Sequence, residues 1–235
     1  MRLTNIETVY QLSFMPRTFP VNCYFVEEEN GLILIDAALP FSAKEILRTA
    51  KNLRKPIKYI LLTHAHYDHL GALDAIKRAY PSAVVGISAR DARLLAGDKR
   101  LLAEEPNTPI RGSVPKSIKT QPDILLHEGD RIGSLQVVFS PGHTPGSISL
   151  LDVRNGSLIA GDALYTKGGA AVCGTLKPLF PFPALATWNK RIAHESAVKL
   201  KDLNPQLLAV GHGKMIRNPE QAFHKAIKES KESLE

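Results

Sequence analysis

Little in this sequence is suited to crosslinking, membrane insertion or base stacking. Only two cysteines occur, Cys23 and Cys173, too few for a disulfide framework in a chain of 235 residues, so each is expected to be a small apolar filler. No apolar run approaches the roughly 18 residues that a membrane span needs. The opening Met1-Arg2-Leu3-Thr4-Asn5-Ile6-Glu7 also lacks the apolar core of a signal peptide, so a cytoplasmic protein with no membrane partner is the expectation. Aromatic residues make up only 6% and do not interleave with the cations as a base-stacking surface would require. The net charge of +7 is spread over Lys51, Arg54, Lys55 and Lys58, then Lys199 and Lys201, then Lys225, Lys228 and Lys231, and most of it reads as solvated helix faces. No specific nucleic-acid partner is expected, while weak attraction for anionic substrates stays open.

What is present is enough apolar residue, 44% at a mean hydropathy of −0.09, to bury a full core. Strands are expected over Glu7 to Phe14, Val21 to Val26 and Leu32 to Ile35, the last entered through an Asn30-Gly31 hairpin signal. Ser42 with Glu45 forms a capping-box pattern for a helix to about Leu53. A buried strand at Tyr59 to Leu62, a helix through Leu70, Leu73, Ile76 and Lys77, a strand at Ala83 to Ile87 and a helix at Ser88 to Gly97 follow. Residues 98–121 have no period and read as a long loop or lid. Strands resume at Ile124 to Leu126, Arg131 to Phe139, Ser147 to Val153 and Ser157 to Ala160. Residues 164–183 are irregular. A helix from Ala184 to Leu203, a strand from Gln206 to Val210 and a closing helix from Pro219 to about Ser230 complete the chain. No linker separates the two strand-rich halves, so residues 1–235 read as one domain with two packed sheets and helices outside.

The chemistry is concentrated in Thr63-His64-Ala65-His66-Tyr67-Asp68-His69-Leu70-Gly71, at the exit of an apolar strand. Imidazole and carboxylate in this pattern suit zinc, iron or manganese better than copper(I). Three later strand ends place a glycine beside a ligand-type residue: Gly142-His143, Gly161-Asp162 and Gly211-His212-Gly213. Glycine at such points lets the backbone come close to a bound ion. His127, His194 and His224 lie outside this pattern and read as surface or core residues.

Taken in order, His64-x-His66-x-Asp68-His69, His143, Asp162 and His212 resemble the ligand set of the metallo-β-lactamase-fold hydrolases, and the matching segments span most of the chain. The resemblance implies an α+β four-layer αββα sandwich, two mixed β-sheets packed face to face with helices on both outer faces. It also implies two divalent metal ions, with zinc expected and iron or manganese compatible. His64, His66 and His143 would hold one ion, Asp68, His69 and His212 the other, and Asp162 would bridge them. Asp36 would hydrogen-bond the ligands from behind, or simply cap a turn. Two ions about 3.5–4 Å apart can hold a hydroxide and polarise a carbonyl or phosphoryl oxygen, with Asp68 managing the released proton.

Asp162 stands where true β-lactamases carry Cys or Ser, which disfavours lactam antibiotics as native substrates. The modules that nucleic-acid-processing and flavin-carrying relatives append are not evident. The resemblance therefore points to a small-molecule ester, thioester or lactone, similar to the substrates of glyoxalase II and quorum-quenching lactonases. Tyr165, three residues after Asp162 as in those lactonases, would donate to an oxyanion or leaving alkoxide, or else pack beneath a loop. Phe14, Phe19, Phe180 and Phe182 would form an apolar rim for an acyl chain, or cover the core. A phosphodiesterase or nuclease of the same fold and a non-catalytic metal-binding protein are the alternatives. A homo-oligomer is compatible with the sequence and not required by it.

Overall fold

The computed structural model describes residues 1–115 and 117–235. Seven strands form the first sheet in sequence order: β1 (Arg2–Ile6), β2 (Val9–Phe14), β3 (Val21–Glu28), β4 (Gly31–Ile35), β5 (Ile57–Leu61), β6 (Val84–Ser88) and β7 (Ile124–Leu126). The first four pair antiparallel through tight turns; β4 to β7 pair in parallel because a helical crossover follows each strand. Those crossovers carry α1 (Ala43–Asn52), α2 (Tyr67–Leu70), α3 (Leu73–Ala79) and α4 (Ala89–Leu95).

The second sheet contains β8 (Arg131–Ile132), β9 (Leu135–Phe139), β10 (Ile148–Asp152), β11 (Ser157–Ile159), β14 (Leu207–Ala209) and β15 (Ile216–Arg217), in the order β15-β14-β11-β10-β9-β8. It is mixed too, since β11 and β14 run parallel across α6 (Lys190–Asp202). A small ribbon, β12 (Leu164–Tyr165) with β13 (Ala171–Val172), follows β11; α5 (Phe182–Ala186) precedes α6, and α7 (Glu220–Glu232) ends the chain.

Strand periodicity accounts for the four layers. In β4, Leu32 and Leu34 point to α1 and α3, whereas Ile33 and Ile35 point the other way to meet Leu135, Val137 and Leu150 of the second sheet. The outer face of that sheet packs Leu158, Leu208 and Val210 on Ala193, Ala197 and Leu200 of α6 and Phe223 of α7. This is the αββα sandwich, with three separate apolar layers and the parallel strand ends gathered along one edge.

Several expectations about single elements are corrected. A first strand, β1, precedes the expected one, and the turn between them sits on Glu7 with a positive φ of 52°. Ser42 does not cap α1, because the chain enters from a 3-10 turn at Pro40–Ser42 with Ser42 already helical, and its hydroxyl is buried without a partner. The strand expected over 131–139 is a hairpin turning at Gly133 and Ser134. The helix expected from Ala184 to Leu203 breaks after Ala186, where the Trp188 and Asn189 amides leave the helical ladder to bond His143 and Gly142 carbonyls at 3.0 and 2.9 Å. Asn189 then caps α6 by accepting from the Ile192 amide at 3.1 Å. The long segment 98–121 contains no helix or strand among its described residues; residue 116 lies outside them.

Candidate metal centre

The parallel ends of β4 and β5 deliver the first ligands. Leu61 is the last residue of β5, and the chain then leaves the sheet, so His64 and His66 stand at its exit and Asp68 and His69 on α2. His143 sits in the turn between β9 and β10, Asp162 directly after β11, and His212 directly after β14. All seven therefore collect at one edge of the sandwich. Ring nitrogens of His64, His66 and His143 lie within 4.8 Å of one another, and so do ligand atoms of Asp68, His69 and His212. Asp162 lies between the two sets: its Oδ2 is 3.1 Å from His212 Nε2 and 3.4 Å from His143 Nε2, and its Oδ1 is 3.5 Å from His69 Nε2.

Each of the five imidazoles here has its outer nitrogen held by a partner that accepts a proton, which turns the inner nitrogen toward the centre, where His66 Nδ1 and His143 Nε2 lie 2.9 Å apart. His69 Nδ1 donates to Asp36 Oδ2 at 2.8 Å, and His212 Nδ1 to the Pro20 carbonyl at 2.7 Å. His66 Nε2 donates to the Arg111 carbonyl at 3.1 Å. Thr63 gives its hydroxyl proton to Asp36 at 2.8 Å and so accepts from His64 Nδ1 at 3.0 Å. Thr187 gives its own to the Pro183 carbonyl at 2.7 Å and accepts from His143 Nδ1 at 3.1 Å. These tautomers follow from the partners. The inner atoms His64 Nε2, His69 Nε2 and Asp162 Oδ1 are buried with no partner among the described residues. Buried polar atoms are rarely left so, and cations held by the two sets would satisfy all three.

Charge divides the site. Burial, together with neighbouring His69 and His66, holds His64 well below the usual histidine value, and burial brings His143 down to about 3. Burial alone would also lower His69 and His212, but carboxylates beside them outweigh it, Asp162 foremost, and both are raised. Burial would raise Asp162 and Asp68; the facing imidazoles overturn that and keep both ionised.

Glycine is required at two of the loops. A side chain at Gly112, whose φ is +82°, would overlap the His66 imidazole, and one at Gly211 would enter the Asp162 carboxylate. The centre floors a pocket of about 390 Å³. One wall is Phe19, Phe182, Pro183, Leu185 and Ala186; the other is Tyr67, Gly112 and Ser113, with Ser113 accepting the Tyr67 amide at 2.8 Å.

Three expected participants are elsewhere. Tyr165 is fully buried beside Phe180, its hydroxyl donating to the Thr175 carbonyl at 2.6 Å, the arrangement of the packing alternative rather than of a proton donor at the pocket. It cannot offer a proton to a substrate while that bond holds. Of the four rim phenylalanines, Phe19 and Phe182 line the pocket, whereas Phe14 and Phe180 are buried in apolar clusters. Asp36 is 2% exposed and accepts from the Thr63 amide and hydroxyl and from His69, so it braces ligands rather than capping a turn.

Sequence reasoning missed Asp91, Asn22, Gln11 and Tyr24. The Asn22 amide donates to the Val210 and Gly213 carbonyls, each at 2.8 Å, Gln11 donates to the Gly213 carbonyl at 2.9 Å, and the Tyr24 hydroxyl donates to the Val210 carbonyl at 2.6 Å, fixing the turn that carries His212. Polar residues in otherwise apolar strands were the available signal. For Asp91 it was the Ser88-x-x-Asp91 pattern at a helix start.

Residues 16–212 match the family model described as the metallo-beta-lactamase superfamily. The chain is 55% identical to the uncharacterized protein YobT of Bacillus subtilis over 98% of its own length and 99% of that protein. It is 33% identical to the probable metallo-hydrolase YflN of the same organism, covering 82% of this chain and 80% of the other. A hydroxyacylglutathione hydrolase of Legionella pneumophila is 30% identical over 66% of this chain, which spans about half (52%) of that protein. Among solved structures, a metallo-beta-lactamase from Pontibacter korlensis superposes with a TM-score of 0.75 at 19% identity, covering 98% of both chains. TTHA1623 in a di-iron-bound form gives 0.67 at 26% identity, over 90% of this chain and 96% of the other.

Proposed function

This chain belongs to the metallo-β-lactamase superfamily, and on that premise we propose that residues 1–235 form one dinuclear metal hydrolase domain cleaving a small-molecule ester, thioester or lactone. The observation that carries the reading is the set of five imidazoles whose outer nitrogens are all occupied, three of which bring their inner nitrogens within 3.5 Å of the Asp162 carboxylate. His64, His66 and His143 would hold one ion, Asp68, His69 and His212 the second, with Asp162 shared. The donors, imidazole and carboxylate, favour zinc, with iron or manganese accepted by the same set. The pair would supply Lewis acidity toward the scissile carbonyl oxygen and lower the pKa of water.

The chain's own residues supply the remainder. Asp68 is the ligand-set carboxylate most open to the pocket, 26% exposed at its side chain, and is held ionised by His69 and His212. In this reading it accepts the proton that attacking water gives up and passes it to the leaving group. Phe19, Phe182 and Leu185 exclude water from one side and take the apolar part of the substrate. Tyr67 lines the pocket as well. The name of the Legionella relative, hydroxyacylglutathione hydrolase, supports an acyl substrate over a phosphoryl one. Cys23 and Cys173 are free and buried, which fits a cytoplasmic enzyme, and no helix among the described residues is long and apolar enough to cross a membrane.

The test is a panel of a p-nitrophenyl ester, a thioester, a lactone and a phosphodiester, run on protein loaded with zinc, iron or manganese and again after chelation. Turnover of a carboxylic substrate that chelation abolishes and Asp162→Asn lowers by at least a hundredfold is expected. Activity surviving chelation, or metal uptake with no turnover on any carboxylic substrate, refutes the proposal.

A further inference from the structure

Asp91 takes no part in the chemistry above and does not line the pocket, yet it is a fully buried carboxylate on the first turn of α4 with no salt bridge among the described residues. Burying such a group is costly unless its oxygens are satisfied. Here they are satisfied by two separate turns. Asp91 Oδ2 accepts the Ala65 amide at 2.8 Å and the Thr144 hydroxyl at 2.7 Å; Oδ1 accepts the Gly146 amide at 2.8 Å. Ala65 lies between His64 and His66, and Thr144 follows His143. The same helix start grips the second turn again, for Ser88 donates its hydroxyl to the Gly146 carbonyl at 2.6 Å. A Cβ at Gly146 would stand 2.5 Å from both the Asp91 amide and Oδ1, so the turn approaches as closely as glycine permits.

We propose that Asp91 is the positioning residue of the three-histidine site, its carboxylate setting the separation between the turn that carries His64 and His66 and the turn that carries His143. The proposal rests on the metal-site reading above. Its selectivity comes from geometry. Ligands of the other site are held by different groups: His69 by Asp36, His212 by the Pro20 carbonyl, and the turn around His212 by Asn22, Gln11 and Tyr24. Asp91 bonds none of these. Removing its charge therefore loosens one site and spares its neighbour. Asparagine cannot replace it in full, because its NH2 group would face the Gly146 N–H if the oxygen keeps Ala65 and Thr144, or the Ala65 N–H if the oxygen turns to Gly146, and either arrangement sets donor against donor.

The test measures the two metal affinities separately. Metal-free protein is titrated with Co²⁺ by absorption and with Zn²⁺ against a chromogenic chelator. Imidazole ¹⁵N shifts of His143 and His212 report which site is filling. Wild-type protein is expected to give two dissociation constants. Asp91→Asn should weaken the three-histidine site about tenfold to a hundredfold and leave the other within about twofold. Thr144→Val, which removes one of three donors, should produce a smaller loss at the same site. Asp74→Asn serves as a stability control, since that carboxylate clamps the Lys119 and Thr120 amides away from the ligands; it should lower the melting temperature with neither constant changed. Equal weakening of both sites in Asp91→Asn, or of neither, overturns the proposal while leaving the metal-site reading intact. If Asp91→Asn does not fold, Thr144→Val decides, and an unchanged three-histidine constant overturns it. Wild-type protein that takes up no ion removes the metal-site reading and this proposal with it.

Discussion

Asp36→Asn isolates the role of a carboxylate that never touches the pocket. Asp36 occupies the left-handed region, φ 59°, which asparagine also tolerates, so the backbone is not perturbed. The wild-type side chain accepts three hydrogen bonds, from the Thr63 amide, the Thr63 hydroxyl and His69 Nδ1, each at 2.8 Å. Asparagine has one carbonyl oxygen. Kept on the Thr63 amide, it leaves an NH2 group facing His69 Nδ1, which must then accept, and the ring proton moves to Nε2. That atom lies 3.5 Å from Asp162 and 3.9 Å from Asp68 and must be bare to bind an ion. The site of Asp68, His69 and His212 should therefore lose affinity about tenfold to a hundredfold, or about 1.4–2.8 kcal/mol. Thr63 relays a weaker version to His64, whose Nδ1 bonds the same hydroxyl. Competition titration with a chelator measures the constants, and long-range ¹H–¹⁵N spectra read the His69 tautomer. Unchanged affinity at that site, or a His69 still protonated at Nδ1, would refute the reasoning.

Two further outcomes follow from the site. His64, His66 and His143 are held below the ordinary histidine value and are already neutral at pH 7, whereas His69 is raised to about 10 and carries a second proton in the metal-free protein, with His212 raised in the same direction by Asp162. Filling the three-histidine site should release no proton from its ligands near pH 7, while filling the other should release protons and tighten as pH rises from about 6.5 toward His69's raised value of about 10; calorimetry in buffers of different ionisation enthalpy checks this, and equal release at both sites contradicts it. Stability runs the opposite way in metal-free protein, since a raised histidine contributes fully below its unfolded value and that contribution is lost as pH climbs to the folded one. Tyr165→Phe deletes the bond to the Thr175 carbonyl, so urea midpoints should show a loss of about 1–2 kcal/mol with turnover within twofold of wild type. A large fall in turnover would return that hydroxyl to the reaction.

The convergence of the seven His and Asp residues was legible because chemistry and chain order both leave traces in sequence: apolar strands end, glycines follow, and His or Asp stands beside them. The four layers were legible in part through Leu32 to Ile35, apolar on both faces as only an internal strand can be. The broken helix at Thr187 to Asn189 was not, because its cause is a pair of amides spent on the His143 turn. Nor was the hairpin at Gly133, where residues 131–139 continue to look like one strand.

By itself the sequence determined which side chains can bind a metal and which strand ends carry them, since ligand chemistry and strand periodicity are local properties. Only the tertiary structure decided which residues orient those ligands. Asp36 reaches His69 across 33 positions, Asp91 reaches Thr144 across 53, and Asn22 reaches Val210 across 188. Nothing local in the chain announces such bonds; they exist because parallel strands bring distant ends to one edge of the sandwich. The same packing buried Tyr165, turning an apparent proton donor into a structural bond.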